Sequence, residues 1–258
     1  MIRKEKKGIV WLEFNLLQPY SELTHGVFLR HGGVSLPPFG SLNLGENTGD
    51  KAEAVAENRQ RVKSLLELPH LLGASQVHGH QIHEVSHENL NVKPECDALV
   101  TWQGGVGLLV QHADCQAAIF YDPETRVVAN VHCGWRGHVH NIYAKTVAYF
   151  HSHFGTSPKD LLVCISPSLG PEAAEFVNFQ EEIPEPFHRF QTRPTRFDLW
   201  AIAKWQLEVA GVDPKHIEIA KECTHSPPEY SLKQPFFSYR REKKTGRHGT
   251  VVGLKKNL

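Results

Sequence analysis

One stretch near the middle of the chain constrains its fold more than any other. Two apolar runs, Val106–Phe120 and Arg126–Val131, flank the polar segment Asp122–Thr125. Asp followed by Pro is typical of a turn, and Val, Leu, Ile, Phe and Tyr favour strands, so the pattern predicts a β-hairpin. A turn centred on the Pro-Glu pair of this segment places Cys115 opposite His132, with Cβ atoms about 4.5–5.5 Å apart. This pairing depends on register, because a slip of one residue moves the two side chains to opposite faces.

Composition limits the classes of protein to which the chain can belong. Its 258 residues allow one large domain or two small ones, with a core of full size. The formal net charge is zero, so no basic excess supports a nucleic-acid or anionic-membrane partner. We find neither a signal-peptide cleavage site nor an apolar stretch as long as a membrane span. The five cysteines are odd in number and favour reduced thiols in a cytoplasmic protein over a disulfide framework.

Helix-like and strand-like segments intermix along the rest of the chain. Apolar periodicity predicts helices at 51–68, 141–154 and 197–209. Residues 172–178 suit either a helix or a strand. Shorter apolar runs predict strands at 9–16, 24–30, 75–85, 98–102, 161–166 and 217–220, and a second hairpin at 236–241 and 250–254. Because hairpins imply antiparallel pairs, we expect one α+β domain spanning residues 1–258, with a mixed, largely antiparallel sheet.

Cys115 and His132 could share a metal ion or a proton. A thiolate and an imidazole are ordinary zinc ligands, and His78, in a turn beside Gly79, is the best candidate for a third. Such a site leaves one tetrahedral position for water, which is the arrangement of catalytic zinc. Without a metal, Cys115 and His132 could be a nucleophile and its base. A third interpretation is a buried thiol beside a core histidine, since short motifs are often false positives.

Other polar residues near this stretch have alternative interpretations. Asp114 could be an acceptor that holds an imidazole in one tautomer, or a plain turn carboxylate. His112 and Cys133 add potential ligands, which could be bystanders or a source of adventitious copper binding. The arginines that could bind an anion are Arg30, Arg136, Arg240, Arg241 and Arg247.

A series of short motifs along most of the chain resembles one family, the laccase-domain purine nucleoside phosphorylases of the YfiH/YlmD type, formerly labelled multicopper polyphenol oxidases. The ordered matches make the resemblance far more specific than any single motif. They are Arg30-His31-Gly32-Gly33-Val34-Ser35, Ser41-Leu42-Asn43-Leu44, Glu57-Asn58-Arg59, Gln76-Val77-His78-Gly79, Ala113-Asp114-Cys115, His132-Cys133-Gly134-Trp135-Arg136-Gly137, Cys223-Thr224, Phe237-Ser238-Tyr239-Arg240-Arg241 and Thr245-Gly246-Arg247.

The resemblance implies a four-layer α/β/β/α fold and a zinc site. The family's zinc ligands carry over onto His78, Cys115 and His132. It also implies phosphorolysis of adenosine, inosine, guanosine and S-methyl-5′-thioadenosine, together with adenosine deamination. The chain departs from the family pattern at His112, where Thr or Ser is usual, and at Cys133, where Ala is usual.

From these observations follows a mechanistic hypothesis. Water activated at the zinc attacks C6 of adenine in deamination, and phosphate attacks the ribose C1′ in phosphorolysis. In this hypothesis Cys115 and His132 act in catalysis, and Asp114 or a nearby histidine moves protons. The expected substrate ligands are Arg30 for phosphate, Asn43 for ribose or base, and in addition Arg136 and Arg240.

Three alternatives to this function remain open from the sequence. The first is a copper-dependent polyphenol oxidase, but its several coppers require several paired histidine motifs at one site. Of the His-x-His segments His78-Gly79-His80, His138-Val139-His140 and His151-Ser152-His153, only the first includes an expected ligand. The second is a metal-free Cys–His hydrolase, which would survive a chelator. The third is a binding protein that has lost turnover.

Overall fold

The computed structural model describes residues 1–226 and 234–256, and within them the chain forms fourteen strands and six α-helices. The strands are β1 Ile2–Lys6, β2 Ile9–Glu13, β3 Leu23–Phe28, β4 His70–Gly73, β5 Ile82–Glu84, β6 Ala98–Thr101, β7 Val106–His112, β8 Gln116–Asp122, β9 Val127–Cys133, β10 Leu162–Ile165, β11 Gln191–Arg193, β12 Arg196–Phe197, β13 Ile217–Ile219 and β14 His248–Leu254. The helices are α1 Ala52–Leu65, α2 Trp135–Val139, α3 Ile142–Phe154, α4 Phe179–Glu182, α5 Leu199–Val209 and α6 Tyr239–Glu242.

Two six-stranded sheets carry most of the structure. The first has the order β1-β2-β3-β14-β7-β4 and the second the order β13-β10-β8-β9-β6-β5. Most neighbours are antiparallel, whereas β4–β7, β5–β6 and β10–β13 are parallel. The expected mixed, largely antiparallel arrangement is therefore confirmed.

The hydrophobic core lies between the two sheets. One buried cluster combines Val27 and Leu108 of the first sheet with Ile119 and Val128 of the second. Helix α1 packs its Val62 on the outer face of the first sheet, and helices α3 and α5 cover the outer face of the second. The order of layers is helix, sheet, sheet, helix, so the predicted four-layer α/β/β/α fold is confirmed.

The central hairpin forms with a different register and a different extent from those predicted. The run Val106–Phe120 is not one strand, because β7 belongs to the first sheet and β8 to the second. The chain crosses between the sheets at Asp114, whose φ is +95°. In the β8–β9 pair Ala117 faces His132, two residues away from the predicted register. Since a shift of two preserves the alternation of faces, Cys115 still lies on the same side as His132.

The second predicted hairpin is wrong. Strand β14 pairs with β3 and β7, and the segment before it contains the short helix α6. Ser238 caps this helix, since its side chain accepts a hydrogen bond from the backbone N–H of Arg241. The apolar character of Phe236–Arg241 favours a strand locally, but the cap and tertiary hydrogen bonds override it.

Other segments of the described chain depart from the expectations in smaller ways. Strands β1 and β4 occur where no strand was predicted, and residues 172–178 form turns, neither helix nor strand. All five cysteines are free thiols. Among the described residues, no helix combines the length and apolar character that crossing a bilayer requires.

Two buried histidines make stability dependent on pH. His25 accepts a hydrogen bond from the backbone N–H of Phe14, and His138 Nδ1 lies 2.8 Å from Gln206 Oε1. Burial lowers the pKa of each imidazole from 6.5 to about 4. The unfolded chain therefore binds more protons than the folded chain between about pH 6.5 and pH 4, so stability is lost as pH falls through this window.

We predict that His25 and His138 each lower the free energy of unfolding by about 2 kcal/mol between pH 7.5 and pH 5.0. Urea denaturation at several pH values measures it. Replacing His25 with Gln, which keeps an acceptor for Phe14, should remove about that amount from the pH dependence. His153→Gln, on the exposed face of α3, is the matched control. An unchanged pH dependence in His25→Gln would contradict the prediction.

Candidate metal centre and its cavity

Three side chains from different parts of the fold converge on one point. Cys115 lies immediately before β8, His132 lies near the end of β9, and His78 lies in a turn where its φ is +59°. One ligand atom of each residue lies within 4.8 Å of the other two. His132 is buried, Cys115 is half-buried and His78 is exposed, so the cluster is open to solvent on one side. The sequence-predicted ligand set is therefore brought together by the fold.

Asp97, which the sequence reasoning missed, orients two of these three residues. Its Oδ1 lies 2.8 Å from His132 Nδ1, which leaves Nε2 of that ring free for the cluster. The same carboxylate accepts hydrogen bonds from the backbone N–H groups of His78 at 3.0 Å and Gly79 at 2.7 Å. A buried carboxylate that fixes a metal-binding imidazole sets its tautomer and raises its basicity. The one feature of the sequence that could have identified Asp97 is its position as a charged residue directly before strand β6.

Electrostatics favour a thiolate in the cluster. Burial acts to raise the pKa of the Cys115 thiol, but the charge and hydrogen bond of His132, with the hydrogen bond from His78, outweigh it and lower the pKa. Burial acts to lower the pKa of His132, but the charge of Cys115 and the hydrogen bond with Asp97 raise it. The sulfur is thus held in the form that binds metals.

Gly134 leaves the space that the cluster needs. A Cβ atom built at this position would lie 3.1 Å from Cys115 Sγ and 3.1 Å from His78 Cδ2. Its backbone has φ −85°, which any residue adopts, so the requirement for Gly is one of space rather than conformation.

We predict that Gly134→Ala pushes the sulfur and the His78 ring apart and weakens metal affinity by roughly tenfold or more. Titration with zinc in competition with a coloured chelator measures the effect. Gly73→Ala is the control, because the nearest atom to its Cβ is 3.4 Å away and belongs to a flexible Gln side chain. Equal zinc affinities for Gly134→Ala and the parent would contradict this account.

The cluster opens on a cavity of about 460 Å³, a volume typical of small-molecule sites. Tyr239 and Arg247 form part of its lining, with Glu46 and Lys93 also on its walls. The guanidinium of Arg247 lies 5.7 Å from the centre of the Tyr239 ring. The cavity therefore brings a candidate metal centre, an aromatic ring and a cationic group together.

Arg30 and Asn43, predicted as substrate ligands, are not among the residues that line the cavity. Arg30 forms an ion pair with Glu242 at 3.0 Å and packs over the Phe237 ring. Asn43 is fully buried, and its Oδ1 accepts from the backbone N–H of Arg247 at 2.8 Å. Neither residue lines the cavity, so their contact with substrate stays a prediction, and Asn43 positions Arg247 instead.

Asp114, Arg136 and Arg240 also lie outside the cluster. The Asp114 carboxylate accepts from the Thr224 hydroxyl at 2.7 Å and from the Arg240 backbone N–H at 2.6 Å, which ties helix α6 to the crossing between the sheets. The Arg240 side chain donates to the backbone oxygen of Glu175. Arg136 is exposed and packs over the Trp135 ring. Their predicted catalytic and substrate-binding roles stay predictions.

The two residues that depart from the family pattern do not join the cluster. His112 lines the cavity, but its Nε2 lies 2.8 Å from Thr250 Oγ1 and its ring packs on His248. Cys133 is buried, and its thiol contacts the backbone oxygen of Gly134. Both residues contact neighbouring groups, and neither belongs to the cluster formed by His78, Cys115 and His132.

Comparison with known proteins identifies the family. The family model described as multi-copper polyphenol oxidoreductase laccase matches residues 24–255. This chain belongs to that laccase family. The resemblance seen in its motifs is confirmed.

Curated relatives of this laccase-family chain carry a different name. It is 33% identical over 236 residues to the purine nucleoside phosphorylase YfiH of Escherichia coli strain K12, covering 87% of this chain and 91% of the relative. It is 35% identical over 245 residues to the purine nucleoside phosphorylase of Xylella fastidiosa strain Temecula1, covering 88% of this chain and 90% of the relative.

Solved structures show the same fold. A hypothetical protein YfiH of Bacillus licheniformis matches with a TM-score of 0.85 at 26% identity, covering 98% of this chain and 99% of that one. YlmD of Geobacillus stearothermophilus matches with a TM-score of 0.84 at 29% identity, covering 98% of each chain. The laccase-family chain therefore has relatives over nearly its whole length.

Proposed function

We propose that this chain is a zinc-dependent purine nucleoside phosphorylase that also deaminates adenosine. The observation that carries the proposal is the meeting of His78, Cys115 and His132 in the lining of a cavity that Arg247 also lines. The names of the curated relatives support the phosphorylase part of the proposal. The proposed substrates are adenosine, inosine, guanosine and S-methyl-5′-thioadenosine, with inorganic phosphate.

The donor set of the cluster fits zinc. One soft thiolate and two imidazoles form a donor set that suits zinc, and three protein ligands leave a fourth tetrahedral position open. The anchoring of His132 by Asp97 fits the same assignment. A zinc ion bound there would supply a Lewis acid and make a water molecule more acidic.

In the proposed phosphorolysis, residues of the chain bind and orient the reactants. A phosphate oxygen forms a bond to the ribose C1′ while the C1′–N9 bond breaks. The electron pair of the C1′–N9 bond leaves with the purine. Arg247 lines the cavity and is held from behind by Asn43, so we assign to it the phosphate contact that the sequence suggested for Arg30. The Tyr239 ring, 52% exposed, offers a face on which a purine can stack.

The proposed deamination uses the same cavity without phosphate. Water adds to C6 of adenine and ammonia leaves, which yields inosine from adenosine. His78 is the exposed imidazole of the cluster, and it lies beside the half-buried Cys115 at the open side of the cavity. Whether a product appears as adenine or as inosine reports which of the two reactions has occurred.

The oxidase alternative receives less support from the site. Laccase chemistry requires several copper ions, whereas residues 1–226 and 234–256 contain one cluster of three metal-binding side chains. The metal-free hydrolase alternative uses Cys115 and His132 as nucleophile and base. It predicts activity that survives a chelator, and the phosphorylase proposal predicts activity that does not.

The test is to incubate the purified protein with adenosine, with and without phosphate, and to separate the products chromatographically. We expect adenine and ribose 1-phosphate only when phosphate is present, and inosine in both cases. Chelation should abolish both reactions and added zinc should restore them. Absence of every purine product from the zinc-loaded protein would overturn the proposal.

A further inference from the structure

The carboxylate of Glu46 lies in the cavity wall and contacts two cationic side chains, Arg59 and Lys93. Glu46 lies in the single turn of 3-10 helix Glu46–Thr48 and lines the cavity. Its Oε1 accepts from Arg59 Nη1, and its Oε2 accepts from Lys93 Nζ. Lys93 lines the same cavity. The carboxylate is therefore fixed from two sides while its side chain remains 38% exposed.

Arg59 gives this arrangement its rigidity. Its Nε and Nη2 both donate to the backbone oxygen of Leu44, at 3.0 and 2.8 Å, so the guanidinium has one orientation. Arg59 belongs to helix α1 and its side chain is only 19% exposed. A carboxylate bonded to a guanidinium that is itself fixed presents its remaining lone pairs in fixed directions.

Glu46 also stays ionised at neutral pH. Burial acts to raise its pKa, but the hydrogen bond from Lys93 and the charge of Arg59 outweigh burial and lower the pKa. An ionised carboxylate accepts hydrogen bonds and donates none, so its partner in the cavity must be a donor. The carboxylate offers no hydrogen-bond donor to phosphate, so the phosphate contact stays with Arg247.

We propose that Glu46 binds the vicinal hydroxyl groups of the nucleoside sugar and so makes the site selective for ribose. The inference rests on the proposed function, because it names the part of that substrate which Glu46 contacts. Each carboxylate oxygen has one partner in Arg59 or Lys93 and keeps a lone pair for a further O–H donor. The 2′- and 3′-hydroxyls supply two such donors on adjacent carbons. Arg59 is then a positioning residue for Glu46.

The experiment compares adenosine with 2′,3′-dideoxyadenosine as phosphorolysis substrates. For the wild-type protein we expect kcat/KM to be higher for adenosine. Glu46→Gln, which keeps the shape and removes the charge, should lower kcat/KM for adenosine by roughly tenfold to a hundredfold. It should change the value for the dideoxy substrate by less than about threefold, so the preference for ribose collapses.

Two further variants separate sugar binding from a structural role. Lys93→Met removes one cation but leaves Glu46 bonded to the rigid Arg59, so it should keep the preference for ribose that Glu46→Gln loses. Equal collapse of the preference in both variants would overturn the proposal, because the preference would then depend on the ion pair and not on the carboxylate. Glu57→Gln removes an exposed carboxylate of α1 that pairs with Arg61, and it should behave as wild type. An unchanged ribose preference in Glu46→Gln overturns the inference and leaves the phosphorylase proposal standing. Absence of turnover of both substrates by the wild-type protein overturns the phosphorylase proposal itself.

Discussion

Replacing Cys115 with Ala is expected to abolish metal binding and both purine reactions. The sulfur is the only thiolate in the described cluster, and without it two imidazoles remain, fewer than the three protein ligands typical of catalytic zinc. The pKa of Cys115, lowered by His132 and His78 against the effect of burial, shows that the surroundings favour the charged form that binds metal. Metal analysis of the purified protein and product assays with adenosine measure the two losses.

The matched control for Cys115→Ala is Cys223→Ala. Cys223 is half-buried like Cys115, but its sulfur accepts a hydrogen bond from Gly170 N–H and it lines a different cavity. We expect this variant to keep its metal and its turnover. A Cys115→Ala protein that retained full zinc content and full turnover would show that the sulfur has no part in the centre.

Replacing Asp97 with Asn is expected to lower zinc affinity by about tenfold to a hundredfold. The carboxylate holds His132 Nδ1 and the turn that presents His78, so both ligands lose their orientation together. An amide has one acceptor oxygen. Its NH₂ group would face backbone N–H groups that now donate to the second carboxylate oxygen, so donor would meet donor. We also expect the free energy of unfolding to fall by about 1–3 kcal/mol, since buried donors lose a partner.

Asp122→Asn provides the matched control, because it separates metal affinity from general stability. Asp122 is also buried and accepts hydrogen bonds from the Glu124 backbone N–H and the Thr125 hydroxyl. Its substitution should destabilise the fold and leave zinc affinity unchanged. Equal losses of zinc affinity in the Asp97 and Asp122 variants would mean that Asp97 acts only through stability.

The sequence identified the three candidate metal ligands but not the residue that orients them. Motifs identified His78, Cys115 and His132, and the error in hairpin register left Cys115 and His132 on one face because the shift was an even number of residues. Asp97 was missed because its partners are 19 and 35 positions away, at His78 and His132. No local pattern distinguishes a carboxylate that will be buried at the end of a strand from one that stays in solvent.

Tertiary contacts account for the other differences. Arg30 belongs to a family motif, yet its guanidinium forms an ion pair with Glu242, which lies 212 positions later in the chain. Ser238 and Asp114 stabilise helix α6 in a segment whose apolar residues favour a strand. Repeated periodicity predicted the helices and the mixed sheet, and the family resemblance implied the four layers. The site contacts were not predicted, because each depends on one pair of residues.

X-ray absorption at the zinc edge of the purified protein tests the central claim most directly. We predict one zinc ion per chain with one sulfur neighbour at about 2.3 Å and two imidazole nitrogens at about 2.0–2.1 Å, the fourth ligand being a light atom. Cys115→Ala should bind no zinc and so give no zinc-edge signal, whereas Cys223→Ala should give the same spectrum as the parent. A zinc-loaded protein whose spectrum contains no sulfur neighbour, or contains the same one in Cys115→Ala, would contradict the account.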